Sequence, residues 1–148
     1  MVNIAASNTP EMIYITRREP FCAAHRMHRE EWSDEENLRV FGKCSNPNWH
    51  GHNYILYVTV KGTPKENLGL FININSLKKI IQDKIIDKID HKNLNTEVEF
   101  MKGKVATTEN LTIAIWNELK PEVEKEGASL HCIKISETEN NSIEYYGE

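Results

Sequence analysis

Two histidines separated by one residue, His50 and His52, have the spacing of a metal-binding pair. On an extended backbone, residues i and i+2 point to the same side of the strand, so both imidazoles could bind one ion. A third ligand would have to come from another strand, and His25, which ends a predicted strand, fits better than His28 in its polar stretch. A zinc ion bound by three histidines, with one coordination position left open, is typical of catalytic zinc sites. The alternative is a chance pair on a sheet face.

Cys44 precedes His50 by six residues, in a loop rich in Asn and Pro. Near a bound Zn²⁺ the thiolate form of a cysteine is favoured, so Cys44 could act as a proton acceptor. The alternative is a half-buried thiol without a chemical role. The other two cysteines, Cys22 and Cys132, lie in strand patterns and are predicted to be small core residues.

Two further sets of polar residues could complete such a site. Asp90 and His91 follow a predicted helix, and together they could orient a network or relay protons with Cys44. Otherwise they are the polar end of that helix. Glu137 follows Ile133 and Ile135 at every second position of its predicted strand, so its side chain should point inward as theirs do. A buried carboxylate needs a hydrogen-bonding or charged partner. A ligand with two adjacent N–H donors would be such a partner. The alternative is that Glu137 lies at the end of the strand and faces water.

The chain has 148 residues and a mass of 17.1 kDa, which predicts a single domain. We expect residues 1–11 to form a flexible segment and residues 12–148 to form that domain. The net charge of −4 lacks the basic surplus typical of nucleic-acid-binding proteins, so no nucleic acid partner is predicted. No apolar run is long enough to cross a membrane.

Three cysteines without paired spacing favour free thiols in a reducing compartment, and we therefore predict a cytoplasmic protein. The first ten residues also lack the basic and apolar regions of a secretory signal.

Hydrophobic patterning predicts strands and helices that could position these residues. The first predicted strand covers 12–18 and continues toward His25 past a break near Pro20. The other predicted strands cover 52–61, 69–73, 130–137 and 142–146, with 69–73 forming a hairpin with 52–61. A short helix over 34–41 should begin at Ser33. A second helix should begin after a cap at Asn75 or Ser76. A third helix should begin after a cap at Thr107 or Thr108 and should break near Pro121 or Gly127. This order predicts an α+β domain in which one antiparallel sheet carries two helices on one face. Its free edges favour oligomers.

Six short motifs in this order resemble the 6-pyruvoyl tetrahydropterin synthase family, over roughly residues 12–148. The motifs are residues 21–25, 41–44, 50–54, 90–94, 107–110 and 137–141. The resemblance implies the tunnelling fold (T-fold), with a four-stranded antiparallel sheet and two helices packed on one face. It also implies a homohexamer, built as a dimer of trimers with active sites between subunits.

The resemblance further implies a lyase that acts on a carbon–oxygen bond of a phosphate ester. Enzymes of this family eliminate triphosphate from 7,8-dihydroneopterin triphosphate and form 6-pyruvoyl-tetrahydropterin, a step toward tetrahydrobiopterin. By resemblance, one Zn²⁺ per subunit is bound by three histidines, Cys44 is the general base, Asp90 and His91 assist proton transfer, and Glu137 anchors the pterin. The three histidines are His25, His50 and His52, and the segment that lines the pterin pocket is Thr107, Thr108 and Glu109.

The triphosphate requires cations, and we predict Arg26 and Lys43 because they flank a ligand histidine and the cysteine. Two residues differ from what the resemblance leads us to expect. Trp49 stands where a small residue such as Gly is expected, and Cys22 stands where a Ser is expected. The indole of Trp49 could narrow the pocket mouth, although His50 keeps its place.

Two other functions remain open. The first is 6-carboxytetrahydropterin synthase, a sister enzyme with the same fold, substrate and metal. Its loop between the cysteine and the His-x-His pair is shorter, and the five residues between Cys44 and His50 favour the pyruvoyl enzyme. The second is a non-catalytic module that binds zinc or pterin. Such a module would need neither a base such as Cys44 nor the Asp90 and His91 pair.

Overall fold

The computed structural model describes residues 10–148. The predicted flexible segment therefore lies almost entirely outside the described residues. Within the described part of the chain, no helix is both long and apolar enough to cross a membrane.

Residues 10–148 form five strands and four α-helices. In chain order they are β1 (Ile13–His25), α1 (Asp34–Phe41), β2 (His50–Gly62), α2 (Ile74–Ile81), α3 (Asp87–Ile89), β3 (Lys92–Asn93), α4 (Thr108–Lys125), β4 (Ser129–Ser136) and β5 (Ser142–Tyr145). A π-helical turn, Gln82–Ile86, joins α2 to α3. Two 3₁₀ turns, Gly42–Ser45 and Glu99–Met101, precede β2 and α4.

The sheet has five strands rather than the expected four, in the order β3-β1-β2-β4-β5. Four of them pair antiparallel, as predicted, but β3 runs parallel to β1. The amides of His91 and Leu94 donate to the carbonyls of Cys22 and Ala24, at 2.7 and 2.8 Å. The additional strand therefore arises because the chain leaving α3 uses free carbonyls on the edge of β1.

The predicted strand over 69–73 is wrong. Phe71 and Ile72 are buried in the core without joining the sheet, and the ring of Phe71 packs against Gly62 at the end of β2. Asn73, not Asn75 or Ser76, caps α2, because its side-chain oxygen accepts from the amide of Asn75 at 2.8 Å. The apolar residues of this segment fill space beneath the sheet rather than pair with a strand.

Two predicted helix starts are confirmed, since Ser33 caps α1 and Thr107 caps α4 through their hydroxyl oxygens. Pro121 lies inside α4 without ending it, and the helix stops at Lys125, just before Gly127. Gly127 has φ +82°, a left-handed conformation that is easiest for glycine, which explains why the helix ends there.

The core lies between one face of the sheet and the two helical segments, α2 through α3 and α4. As predicted for an α+β domain, these segments share a single buried cluster with alternate residues of β1, β2 and β4. Helix α1 confirms the predicted helix over 34–41; it contributes no residue to this cluster and packs on the 3₁₀ turn that follows it. The largest fully buried side chains are Tyr54, Leu56, Leu77, Ile81, Ile85, Ile89, Leu94, Met101, Leu111, Ile115, Leu119 and Ile133.

Replacing Leu56 with alanine should lower the free energy of unfolding by about 2–5 kcal/mol, because the cavity would form in a packed core. Leu56 is 0 % exposed, whereas Leu68 is 58 % exposed and offers a matched control. Urea unfolding of the Leu68→Ala variant should stay within about 0.5 kcal/mol of the parent. Equal losses for the two variants would contradict this description of the core.

Candidate metal centre and active site

The pairing of β1 with β2 brings three histidines together on the inner face of the sheet. His25 lies directly opposite His50, and Ala23 lies opposite His52. Because directly opposed residues share a face and alternate residues of a strand do so too, the three imidazoles point to the same side. One ligand atom from each of His25, His50 and His52 lies within 4.8 Å of those of the other two. His28 is not part of this group.

Several nitrogens in this cluster are buried and have no partner among the described residues. The Nδ1 atom of His25 lies 2.7 Å from the carbonyl oxygen of Ala106, so it donates a hydrogen and leaves Nε2 as a free acceptor. That Nε2 atom and both ring nitrogens of His50 are buried without a hydrogen bond. Buried polar atoms normally have a partner. A metal ion fits these residues, because it would supply that partner, and the carbonyl of Ala106 already orients one ring.

Burial lowers the pKa of two of these histidines, His25 and His50, and so favours their neutral form. The pKa of His25 lies below its ordinary value, first because of burial and then because of the neighbouring His50 and His52, although the Ala106 carbonyl and Glu137 oppose the shift. Burial and His52 also lower the pKa of His50. Since metal ions bind neutral imidazole, the same burial that holds these rings in place prepares them as ligands.

Glu137 lies beside the histidine cluster, just beyond the end of β4. Its Oε1 atom is 3.9 Å from Nε2 of His25 and 3.8 Å from Nε2 of His52. The hydroxyl of Thr108 donates to the same oxygen at 2.6 Å. The side chain remains 22 % exposed, so the carboxylate is fixed at the site and still open to a ligand.

Only one residue of the predicted pocket segment contacts Glu137. Thr108 is buried and donates to that carboxylate, whereas the hydroxyl oxygen of Thr107 accepts from the amide of Asn110 at 3.2 Å and serves the helix cap. Glu109 is exposed on α4. The structure therefore places Thr108 at the site, whereas Thr107 caps α4 and Glu109 is exposed on the first turn of that helix.

Tyr54 was missed by the sequence analysis as a site residue. It is buried, and its ring centroid lies 5.4 Å from that of His52. Burial raises the pKa of its hydroxyl, and the charges of Glu137 and Cys44 add to the effect. Tyr54 continues the i, i+2, i+4 series that starts at His50, so the alternation of β2 already contained the signal.

Cys44 lies half-buried in the 3₁₀ turn Gly42–Ser45, and its carbonyl oxygen accepts from the amide of Met27 at 2.8 Å. Its charge is one of the causes that raise the pKa of Tyr54. Trp49, between this turn and His50, has φ +66° and packs edge-on against His28, with centroids 6.4 Å apart. A left-handed backbone favours glycine, which explains why a small residue is expected at this position.

Arg26 and Lys43, the predicted triphosphate residues, line one cavity of about 460 Å³ between α1 and the same 3₁₀ turn. Arg26 is partly committed to the fold, since its Nε donates to the carbonyl of Ser45 at 2.7 Å. One of its terminal nitrogens also lies 3.8 Å from Asp34, whose side chain is exposed. Lys43 is exposed.

Asp90 and His91 lie at the edge of β1 beside Cys22. The amide of Cys22 donates to Oδ1 of Asp90 at 2.9 Å, and Nδ1 of His91 lies 3.0 Å from Oδ2 of the same carboxylate. The amide of Cys22 is the main cause that lowers the pKa of Asp90. Among residues 10–148, no hydrogen bond or ion pair joins either residue to Cys44.

The predicted core position of Cys22 is wrong, because Cys22 alternates with the inward Phe21 and Ala23 and is only half-buried. Cys132 is buried, as expected, although it lies outside the main core cluster. Cys22 instead lines a cavity of about 490 Å³ with His91, Gly51 and Asn53. Since Gly51 and Asn53 alternate with His50 and His52, this cavity opens mainly on the outer face of the sheet.

The metal-free protein should lose stability on acidification through His25. Because the pKa of His25 in the folded chain lies below 6.5, the unfolded chain takes up the proton first as the pH falls. The free energy of unfolding is therefore fully retained above pH 6.5 and decreases from there toward the lower folded pKa. Urea unfolding on both sides of that pH should show a smaller decrease for His25→Gln than for the parent. An equal decrease would contradict the assignment to His25.

Comparisons with known proteins agree with the geometry. A sequence model of the family described as 6-pyruvoyl tetrahydropterin synthase matches residues 14–148. The chain is 48 % identical to the 6-pyruvoyl tetrahydrobiopterin synthase of Dictyostelium discoideum over 136 residues, which are 92 % of this chain and 97 % of that protein. It is 44 % identical to the human protein of the same name, covering 90 % and 91 % of the two chains.

A solved structure, that of Caenorhabditis elegans 6-pyruvoyl tetrahydropterin synthase, superposes with a TM-score of 0.87 at 37 % identity, covering 94 % of this chain and 98 % of that one. The family match spans most of the chain, and the similarity covers at least 91 % of each of these relatives. The chain therefore belongs to the 6-pyruvoyl tetrahydropterin synthase family.

Proposed function

We propose that this chain eliminates triphosphate from 7,8-dihydroneopterin triphosphate and forms 6-pyruvoyl-tetrahydropterin, in a zinc-dependent reaction. The observation that carries the proposal is the cluster of three histidines with unpartnered buried nitrogens beside Glu137. It combines a metal-binding group with a carboxylate that can hold a ligand. Residues 12–148 would act as one catalytic domain.

The metal would be held by His25, His50 and His52. Three imidazoles with a remaining open position are the ligand set of catalytic zinc, which favours zinc over harder cations such as Mg²⁺. When bound, zinc polarises hydroxyl or carbonyl oxygens of a substrate and stabilises negative charge that develops on them. His25 is held in a suitable orientation by Ala106, through the 2.7 Å hydrogen bond of its other ring nitrogen.

Glu137 would anchor the pterin ring. The 2-amino group and N3–H of a pterin are adjacent donors, and a carboxylate accepts such a pair in a bidentate arrangement. The Thr108 hydroxyl, 2.6 Å from Oε1, fixes the carboxylate while further lone pairs remain available. Because Glu137 and the histidines are less than 4 Å apart, the ring would be held with its side chain close to the metal ligands.

Cys44 would remove a proton bound to carbon in the substrate side chain. Its position in the turn Gly42–Ser45, shortly before His50 begins β2, supports this role. The thiol must be in its thiolate form to accept the proton. Arg26 and Lys43, on the cavity beside the same turn, would face the triphosphate as cations.

Asp90 and His91 would serve the site of a neighbouring copy. They lie on the edge of β1 next to Cys22, and His91 is 79 % exposed. Asp90 holds Nδ1 of His91, which leaves Nε2 free to transfer a proton. A site shared between copies fits an oligomer of stacked trimers, in which Cys44 of one chain meets His91 of the next.

The reaction can be tested with purified, zinc-loaded protein, dihydroneopterin triphosphate and mass spectrometry of the products. We expect 6-pyruvoyl-tetrahydropterin and triphosphate, and a kcat for Cys44→Ala that is about 10²–10⁴-fold lower because the base is removed. Cys132→Ser is the matched control and should retain activity, since Cys132 is a buried thiol on β4, outside the site.

Other products would identify the alternatives. A 6-carboxy product would indicate the sister enzyme. Zinc and pterin binding without turnover would leave only a binding module.

The shared site predicts complementation between two inactive variants. Cys44→Ala and His91→Ala should each have strongly reduced activity alone, but an equimolar mixture, unfolded and refolded together, should recover about a quarter of wild-type activity by random assortment. Each variant refolded alone is the control. A mixture that stays inactive while its oligomers form normally would show that Cys44 and His91 of different chains do not act together.

A further inference from the structure

Most of the buried polar atoms without a partner belong to the candidate site. Among residues 10–148, the buried side-chain nitrogens and oxygens that form no hydrogen bond lie in His25, His28, His50 and Tyr54. His25 and His50 are assigned to the metal. The hydroxyl of Tyr54 has no such assignment, although a buried hydroxyl normally has a hydrogen-bond partner.

Tyr54 lies beside two groups that are assigned to the reaction. It follows His52 by two residues on the same face of β2, and the centroids of the two rings are 5.4 Å apart. Across the strands Ile55 pairs with Ser136, so the next positions, Tyr54 and Glu137, are neighbours. The tyrosine ring is therefore next to both a metal ligand and the proposed pterin anchor.

Among the described residues, no acceptor occupies the Tyr54 hydroxyl. Thr108 is near enough to affect the pKa of the phenol, but no hydrogen bond joins the two hydroxyls. The hydroxyl of Thr108 donates instead to Glu137, at 2.6 Å. Because a phenol is protonated at neutral pH, Tyr54 keeps a free donor.

A bound pterin would offer acceptors to this donor. Its 2-amino and N3–H groups are donors that would face Glu137, but the ring also carries acceptor nitrogens and a carbonyl oxygen, and the side chain carries hydroxyl oxygens. Two other hydrogens at the site are already used, since Nδ1 of His25 donates to Ala106 and Thr108 donates to Glu137. The free hydroxyl of Tyr54 therefore complements the carboxylate of Glu137.

We propose that Tyr54 is a further substrate-binding residue, and that its hydroxyl donates a hydrogen bond to an acceptor atom of the bound pterin. The inference rests on the proposed function, since it takes a pterin held at Glu137 as the ligand. The ring itself belongs to the core, where it stacks on Phe21 with centroids 4.8 Å apart and planes 9° apart. Phenylalanine at this position would keep that packing and remove only the hydroxyl.

The variant Tyr54→Phe tests the hydroxyl by itself. Binding of 7,8-dihydroneopterin, the substrate without its triphosphate, can be measured by calorimetric titration of the intact, zinc-loaded protein. We expect the dissociation constant to rise about 3–10-fold, as for the loss of one hydrogen bond between uncharged groups. Tyr57→Phe, on the opposite face of the same strand, is the matched control and should bind as the parent does. An unchanged dissociation constant for Tyr54→Phe would overturn the proposal.

Two further measurements separate a role in ligand binding from a structural role. A hydroxyl without an internal partner does not stabilise the ligand-free fold, so the urea midpoint of Tyr54→Phe should not fall below that of the parent. The zinc content of the two proteins should also be equal. A lower midpoint or less zinc, with dihydroneopterin binding unchanged, would mean that the hydroxyl serves the fold or the metal instead.

Glu137→Gln distinguishes failure of this inference from failure of the proposed function. If Glu137→Gln weakens binding of dihydroneopterin and Tyr54→Phe does not, the pterin site stands and the role of Tyr54 is wrong. If dihydroneopterin does not bind the parent, or if neither variant weakens its binding, the pterin site itself is wrong and the inference falls with it.

Discussion

The antiparallel register of β1 and β2 determines which side chains meet at the candidate site. His25 faces His50 and Ala23 faces His52, so three imidazoles converge from two strands. The side-chain period of a strand is 2, and a slip of one residue would move His25 to the outer face. The same slip would expose Phe21 and Ala23, which are buried in the core. The hydrophobic core therefore maintains the register on which the metal-binding group depends.

The two faces of this sheet provide different groups. The inner face carries the core, the three histidines and Tyr54, and Glu137 and Thr108 approach from the end of β4 and the start of α4. The outer face and the adjacent edge carry Cys22 with Asp90 and His91. Within the described chain no hydrogen bond or ion pair joins Cys44 to His91, and the proposed function therefore takes His91 from a neighbouring copy.

Burial links the stability of this fold to its chemistry. Removing His25 from water lowers its pKa and leaves Nε2 without a partner, which is unfavourable in the metal-free protein. A bound ion would reverse that penalty, so folding and metal binding are expected to support each other. The Thr108 to Glu137 hydrogen bond has a related effect, because it fixes a carboxylate that would otherwise be mobile at a strand end.

The sequence by itself determined the features that depend on local periodicity and capping. Three such features could be predicted because they involve neighbours in the chain. They are the i, i+2 spacing of His50 and His52, the caps at Ser33 and Thr107, and the inward-facing apolar residues of α2. The ordered motifs were sufficient to indicate the family. They also led to a shortlist of site residues, from which Tyr54 was missing although it continues the same alternation.

Only the tertiary structure decided how distant segments meet. Two features, the parallel strand β3 and the burial of Phe71 and Ile72 without a hairpin, depend on contacts between segments that are separated in the chain. The position of Asp90 and His91 beside Cys22 is of the same kind, since the amide of Cys22 and the carboxylate of Asp90 are 68 residues apart. The local sequence pattern indicates which face of the sheet a side chain occupies. It does not indicate which distant strand edge has free carbonyls and amides available for pairing.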